Sequence, residues 1–244
     1  MTRSGWNTLR AALRARHLYL LLGFLVLWVV APFLPEQIVG VVIHDILAAV
    51  ILVFAVVAVS HRKPFLIVAS LLAVIAMLAK GAYQINKPGW LSVLGDGSNG
   101  LFCVFATVFI LYDVLLGERV DFNKICGAIC VYFLIGAIWS SAFLVLEAVA
   151  PGSFTVAGGN ASPGTIGTIH ESSLRYHSFI TLTTVGYGDI VPVSRAARSL
   201  CSLEALVGQL YLAVLVARLV RLPIAGSQLR AGVAPPPGRG KAVD

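Results

Sequence analysis

The sequence predicts an all-α integral membrane protein with six transmembrane helices and a short re-entrant helix and loop between the fifth and sixth. Two observations predict this fold. Of the 244 residues, 58% are hydrophobic and only 12% are charged, whereas a soluble domain carries about twice that charged fraction. The apolar residues are also gathered into runs of about 20, which is the length that a helix needs to cross a bilayer.

Six apolar runs are the candidate spans. The first follows several arginines and could be a signal peptide, but its apolar part is longer than the usual h-region and no small-residue cleavage site follows it, so we expect a retained helix. The fifth is free of charge and is the clearest span. In chain order the runs are 18–34, 38–60, 64–79, 97–116, 125–146 and 199–220.

The basic residues indicate how these spans are oriented. With six spans both termini lie on one side of the membrane, and that side holds 13 of the 18 Lys and Arg residues. The positive-inside rule then places both termini in the cytoplasm, with the plasma membrane, here a bacterial inner membrane, as the expected location. The basic residues cluster at the ends of apolar runs and form no continuous face, so nucleic acid is not an expected partner.

A polar segment with one short helix separates spans five and six. Ser172 or Ser173 can cap a helix that continues to Thr183 without Gly or Pro. A helix of about a dozen residues is too short to cross the bilayer, so it enters and returns on the same side. Irregular backbone at membrane depth persists only where protein buries it or where it lines a water-filled cavity. The segment therefore predicts a re-entrant loop beside water.

The sequence TTVGYGDI at 183–190 follows this short helix. Together with a long span on each side, it resembles the selectivity filter of the potassium channel superfamily, in which rings of backbone carbonyls replace the hydration shell of the ion. Consecutive carbonyls can face one axis only where some residues adopt left-handed dihedrals, which glycine does without a steric penalty. Gly186 and Gly188 are expected to supply those dihedrals. A Gly-rich extracellular turn is the alternative interpretation.

The resemblance implies a role for each residue of the filter. The carbonyl groups of four residues coordinate permeant K⁺, the Thr184 hydroxyl adds an oxygen at the inner end, and Gly188 completes the signature. The side chains of Val185 and Tyr187 point away from the axis and brace the loop. No cofactor is implied beyond the K⁺ ions themselves. The coordinating residues are Thr184, Val185, Gly186 and Tyr187.

The resemblance also implies roles outside the filter. Tyr176 is expected to bond the carboxylate of Asp189, with Thr183 supporting the loop. Gly208 is a bending point of the inner helix or, alternatively, a site of close helix packing. One face of the same helix lines the inner cavity. The cavity-lining residues are Gln209, Leu212, Val216 and Val220.

The remaining acidic residues receive separate predictions. Glu204 is expected to pack behind the filter near Thr181 or Thr183, as a functional group or in a structural hydrogen bond, because an ionisable group inside a span is a functional hypothesis by default. Glu147 and Glu171 are assigned to a solvated extracellular rim. No paired acid and base, nucleophile motif or metal cluster is recognisable, so an enzyme is not expected.

These predictions divide the chain into five parts. Residues 1–17 form a cytoplasmic segment, and residues 18–116 form a four-helix transmembrane domain with the layout of a voltage sensor but no arginines in its fourth helix. Residues 117–124 form a cytoplasmic linker and residues 125–221 the pore domain. Residues 222–244 form a disordered cytoplasmic tail, too short for a soluble ligand-binding domain.

The predicted function is that of a potassium-selective channel subunit in membrane lipid. One filter signature supplies one quarter of a carbonyl ring, so the resemblance implies a homotetramer with a single central pore. The absence of arginines in the fourth span predicts that opening depends weakly on voltage. The alternatives are a subunit of a potassium uptake transporter and a non-conducting membrane scaffold protein.

Overall fold

The computed structural model describes residues 16–30, 33, 43, 46–47, 50, 63–86, 88–115, 122–157 and 171–231, with the side chains of 63–66, 84–86 and 219–231 left out. Helices account for most of these residues, which confirms the predicted helical class. The elements are α1 (Arg16–Val30), α2 (Lys63–Asn86), α3 (Gly89–Leu115), α4 (Phe122–Val149), β1 (Phe154–Val156), α5 (Glu171–Leu182), β2 (Ile190–Pro192) and α6 (Arg195–Ala231).

Within the described residues, three helices are long and apolar enough to cross a membrane. They are α3, α4 and the Arg195–Arg218 part of α6. Helix α1 and the Ile67–Tyr83 part of α2 are apolar but shorter. The predicted second span, 38–60, lies almost entirely outside the described residues. Three spans are therefore found, and the full set of six stays a prediction.

Close packing of α3 against α4 forms the centre of the core. Ala106 on α3 and Cys130, Val131 and Leu134 on α4 are fully buried. Small residues let the helices approach, since a Cβ added at Gly127 would lie 2.9 Å from a Val114 side-chain carbon. Closely packed apolar side chains thus join α3 and α4 into the pair on which the other helices pack.

Helix α3 begins well before the predicted start at residue 97, because its polar residues find partners inside the bundle. Asp96 is buried and lies 3.3 Å from the Lys80 ammonium on α2, and the Ser92 hydroxyl donates to its carboxylate at 3.1 Å. The Asn99 amide donates to the Ser141 hydroxyl on α4 at 3.1 Å. A polar group whose hydrogen bonds are made can stay within a buried helix. The sequence GDGSN at 95–99 is therefore helical, although glycine, aspartate, serine and asparagine are common in loops.

A two-stranded sheet, which the sequence did not predict, closes the segment after the filter loop. Strands β1 and β2 pair antiparallel with Phe154 opposite Pro192 and Val156 opposite Ile190. Glu147, assigned above to a solvated rim, accepts hydrogen bonds from the backbone N–H groups of Gly152 and Phe154 at 2.7 and 3.2 Å. The carboxylate therefore shapes the turn that leads into β1.

Two predicted boundaries differ from the helix ends. Helix α4 begins at Phe122, so the last residues of the predicted 117–124 linker are helical. Helix α6 continues to Ala231, past the predicted start of a disordered tail at 222. The residues from 232 onward, like those of the N-terminal segment before Arg16, lie outside the described residues.

Candidate functional site

Helix α5 is the short helix between α4 and α6, and its C-terminal end carries the candidate filter. It begins at Glu171, so Ser172 and Ser173 lie in its first turn rather than at its cap. The backbone N–H groups of Val185 and Gly186 both donate to the carbonyl of Ile180, at 2.9 and 3.2 Å. These bonds satisfy carbonyls that would otherwise be unpaired at the helix end and start the following loop in a fixed direction.

Positive φ angles recur at every second residue of this loop. They are 58° at Thr184, 54° at Gly186 and 75° at Gly188. Left-handed dihedrals at alternate positions reverse the alternation of an extended strand, so that successive carbonyls can turn toward one side. Gly186 and Gly188 have the backbone conformation that was expected of them.

Thr184 in the left-handed region was not predicted. A β-branched residue there is a steric outlier, and such strain persists only where the surroundings hold it. The regular spacing of the two glycines is the signal that could have revealed it, because the alternation extended by one step reaches Thr184. The bond from the Thr184 N–H to the Thr181 carbonyl, at 2.9 Å, helps to hold this conformation.

The filter loop is uncovered within a single chain. All residues from Thr183 to Asp189 are exposed, and the Tyr187 and Val185 side chains retain 73% and 52% of their accessible surface. These two side chains are therefore mostly uncovered beside a strained backbone within the single chain. The predicted bracing of the loop by these side chains therefore requires groups from outside the single chain.

The two predicted support residues, Tyr176 and Asp189, lie close together. After desolvation, the Asp189 carboxylate is the main group that raises the pKa of the Tyr176 hydroxyl, so the two side chains are neighbours. The Asp189 carbonyl also accepts the N–H of Ala157 at 2.7 Å, which continues the β1–β2 pairing toward the loop. The Thr183 hydroxyl donates to the Phe179 carbonyl at 2.7 Å and so remains tied to the helix end.

Gly208 lies against the C-terminal end of α5. A Cβ at this position would come within 2.4 Å of the Leu182 carbonyl oxygen and 2.9 Å of its side chain. The same carbonyl accepts a hydrogen bond from the Tyr132 hydroxyl on α4 at 3.2 Å. Gly208 thus has a close-contact role in this structure, and its role as a bending point stays a prediction, since α6 is a continuous helix there.

The predicted cavity face of α6 begins at the inner end of the filter. The Gln209 amide donates to the Thr184 hydroxyl at 3.4 Å. Leu212 and Val216 are exposed on the same helix. The side chain of Val220 lies outside the described residues. The structure thus brings Gln209 to the filter and leaves Leu212 and Val216 facing away from the core of the single chain.

Glu204 lies behind the candidate filter, and its hydrogen-bond partner there is a residue that was not predicted. Its carboxyl oxygen Oε1 is 2.5 Å from Ser178 Oγ on α5, about one helical turn before Thr181. The Thr183 hydroxyl is bonded instead to the Phe179 carbonyl. Nearby, His177 Nε2 lies 3.4 Å from the thiol of Cys201.

A charged cluster that sequence reasoning missed connects α2 to the start of α5. The Lys80 ammonium lies 2.8 Å from Glu171 Oε1, and Arg175 lies 3.5 Å from the same oxygen. Glu171 was predicted to be a solvated rim residue, and its partner Lys80 is 91 positions away in the chain. The cluster therefore links the C-terminal part of α2 to the first turn of α5.

Comparisons with known proteins add two findings to this geometry. A family model described as an ion channel matches residues 171–224, which include α5, the filter loop and most of α6. The chain is also 35% identical over 134 residues to the inward rectifier potassium channel Kirbac3.1 of Paramagnetospirillum magnetotacticum. That match covers 53% of this chain and 34% of the relative, so the chain spans about a third of that protein. No solved structure matches the chain.

Proposed function

We propose that the chain is a member of the potassium channel superfamily and one subunit of a tetrameric channel that conducts K⁺ selectively and passively. Four copies surround one axis, and each contributes the loop from Thr184 to Gly188. The ion passes through rings of backbone carbonyls that take the place of its hydration water.

The observation that carries this proposal is the alternation of positive φ at Thr184, Gly186 and Gly188. Oxygen ligands from carbonyl groups suit a weakly polarising monovalent cation, because they supply partial rather than full negative charges. The described residues contain no cluster of three or more His, Cys, Asp or Glu side chains able to hold a metal ion. The proposal assigns ion binding to the backbone carbonyls of the loop.

Exposure of the loop supports the assembly of several chains. Val185 and Tyr187 are apolar side chains left uncovered beside a strained backbone. In a four-fold assembly, neighbouring subunits would cover them, and the side chains would then hold the loop in its conducting conformation. One loop per chain also requires several copies around the pore. Copies joined by repeated heterologous contacts form a ring when the rotation between them closes.

Weak voltage dependence is the second part of the proposal. A voltage sensor moves charge through the membrane field, at about 2.3 kcal/mol per elementary charge per 100 mV. Helix α3, which corresponds to the fourth predicted span, contains no Lys or Arg between Gly89 and Leu115. Lys80 on α2 is held by Asp96 and Glu171. Among the described residues, α2 and α3 therefore offer little mobile charge to the field.

The orientation in the membrane is the third part of the proposal. We propose that both chain termini face the cytoplasm of a bacterial inner membrane, which places the outer end of the filter on the external side. In this orientation the Lys80–Glu171 contact lies toward the outside. At the opposite end of α3, the Arg218 guanidinium donates to the Leu115 carbonyl at 2.5 Å, close to the cytoplasmic surface.

Purified protein in a planar bilayer tests the proposal. Unitary current steps in potassium solution, from a complex whose mass equals four chains, are the expected result. Potassium flux without unitary steps would instead identify a transporter subunit, and a protein that inserts but carries no flux would identify a scaffold. A conducting monomer or dimer would contradict the assignment of one quarter of the filter to each chain.

A further inference from the structure

A buried polar cluster joins α4, α5 and α6 behind the filter loop. Its members are Glu204 on α6, Ser178 on α5 and the carbonyl of Gly136 on α4. The side chains of Glu204 and Ser178 are both 0% exposed. Neither residue belongs to the filter or to the predicted cavity face, and a glutamate enclosed at membrane depth requires a physical explanation.

The number of hydrogens in the cluster indicates the protonation state of Glu204. Ser178 Oγ lies 2.8 Å from the Gly136 carbonyl oxygen and 2.5 Å from Glu204 Oε1. A serine hydroxyl has one hydrogen, and a carbonyl oxygen can only accept. If the Ser178 hydrogen points to Gly136, the short contact with Glu204 needs a hydrogen from the glutamate itself. The arrangement that gives each contact a hydrogen of its own has a protonated carboxyl group donating to Ser178.

Among the described residues of the single chain, no positively charged side chain acts on Glu204 to stabilise its ionised form. The titratable groups nearest to it are Cys201 on α6, His177 on α5 and Tyr132 on α4. Burial lowers the pKa of His177, so the imidazole is neutral. Asp189, at the end of the filter loop, is an acid and adds no positive charge. An isolated carboxylate in such a site would be strongly unfavourable.

The second oxygen of the carboxyl group agrees with this assignment. Glu204 Oε2 is buried and has no hydrogen-bond partner among the described residues. An unpaired oxygen of a neutral acid costs far less than an unpaired oxygen of a carboxylate, since only the latter carries a large share of a full charge. The arrangement leaves one weak acceptor unsatisfied and satisfies every donor.

We propose that Glu204 is held as a neutral carboxylic acid and that its proton links α6 to α5, and through Ser178 to α4. It is a positioning residue and does not touch the permeating ion. The link matters for the filter because Ser178 lies two residues before Ile180, whose carbonyl accepts the N–H groups of Val185 and Gly186. A shift of α5 at Ser178 would therefore be passed on to the filter backbone.

Infrared spectroscopy of the full chain in lipid vesicles tests the protonation directly and does not depend on conduction. We expect a C=O stretching band of a protonated carboxylic acid at neutral pH that is lost in Glu204→Gln. The band should move in Ser178→Ala, where the acceptor of the carboxyl proton is gone. Glu147→Gln is the matched control and should leave the band unchanged, because Glu147 accepts two backbone N–H bonds. A spectrum that Glu204→Gln leaves unchanged would overturn the proposal.

Current measurements test the positioning role, which rests on the proposed channel function. Glu204→Gln retains a donor toward Ser178 and should keep the parent's current at neutral pH, whereas Glu204→Leu removes the donor and should lose most of it. As the pH is raised, ionisation of Glu204 should reduce the parent's current and leave that of Glu204→Gln unchanged. Equal alkaline loss in both proteins would overturn the positioning role. Absence of current from every variant would refute the channel function, while the infrared result would still decide the protonation.

Discussion

The contact between Gly208 and the end of α5 allows a prediction whose size can be worked out from the structure. In Gly208→Ala, the new Cβ would lie 2.4 Å from the Leu182 carbonyl oxygen, far inside van der Waals contact. The oxygen cannot retreat freely, because the Tyr132 hydroxyl donates to it and because the filter loop begins at the next residue. Either α6 or the end of α5 must move.

Two effects of this substitution oppose one another. Overpacking by one carbon in a well-packed site costs about 1–3 kcal/mol. Alanine in a helix interior is favoured over glycine by about 1 kcal/mol. Because the clash involves backbone and not a flexible side chain, we expect the upper part of the first range and a net loss of about 1–2 kcal/mol per chain. A tetramer with four such contacts would lose about four times as much.

Thermal stability of the assembled protein in mild detergent measures this loss. Samples are heated in steps, and the fraction that remains assembled is followed by size-exclusion chromatography. Gly97→Ala is the matched control, since a Cβ at that helical position would meet no atom within 4 Å. The control should be as stable as the parent or slightly more so, and Gly208→Ala should dissociate at a clearly lower temperature. Parent-like stability of Gly208→Ala combined with altered opening would refute the close-contact role and favour the bending role.

Three further predictions follow from the filter, the charged cluster and α3. Gly186→Ala and Gly188→Ala should each abolish potassium current without impairing membrane insertion, because a left-handed alanine costs about 1–2 kcal/mol. The control variant Gly152→Ala, at φ 82° outside the filter, should still conduct. A normal current from Gly186→Ala would contradict the filter assignment. Lys80→Gln should lower the melting temperature, because loss of one partner from a buried ion pair costs about 3–5 kcal/mol. Adding Asp96→Asn to this variant should recover part of the lost stability. Additive losses in the double variant would argue against coupling between Lys80 and Asp96. Conductance in symmetrical potassium should change little with voltage, and a steep sigmoid equivalent to several gating charges would contradict the account of α3.

The sequence predicts well those features that depend on neighbouring residues. The helices follow from apolar runs, and the left-handed conformations of Gly186 and Gly188 follow from the freedom of glycine. Each of these features is encoded within a short window, where local steric preference and hydrophobic period decide the conformation.

Contacts between distant residues could not be predicted in the same way. Lys80 and Glu171 are 91 positions apart, and Ser178 and Glu204 are 26 apart. Their pairing depends on how α2, α5 and α6 rotate and slide against one another, which single-sequence periodicity does not specify. Glu204 was assigned to the region behind the candidate filter, but its partner Ser178 was not identified. The start of α3 was placed too late for the same reason, since the partners of Asp96 come partly from another helix.

Ion selectivity tests the central claim most directly. The purified protein is reconstituted in a planar bilayer with potassium on one side and sodium on the other, and the reversal potential of the current is measured. A tetrameric carbonyl filter predicts a reversal potential close to that of a membrane permeable to potassium alone, with the current lost in Gly186→Ala. A reversal potential near zero, or a parent-like current in that variant, would contradict the assignment of the loop from Thr184 to Gly188 as a potassium filter.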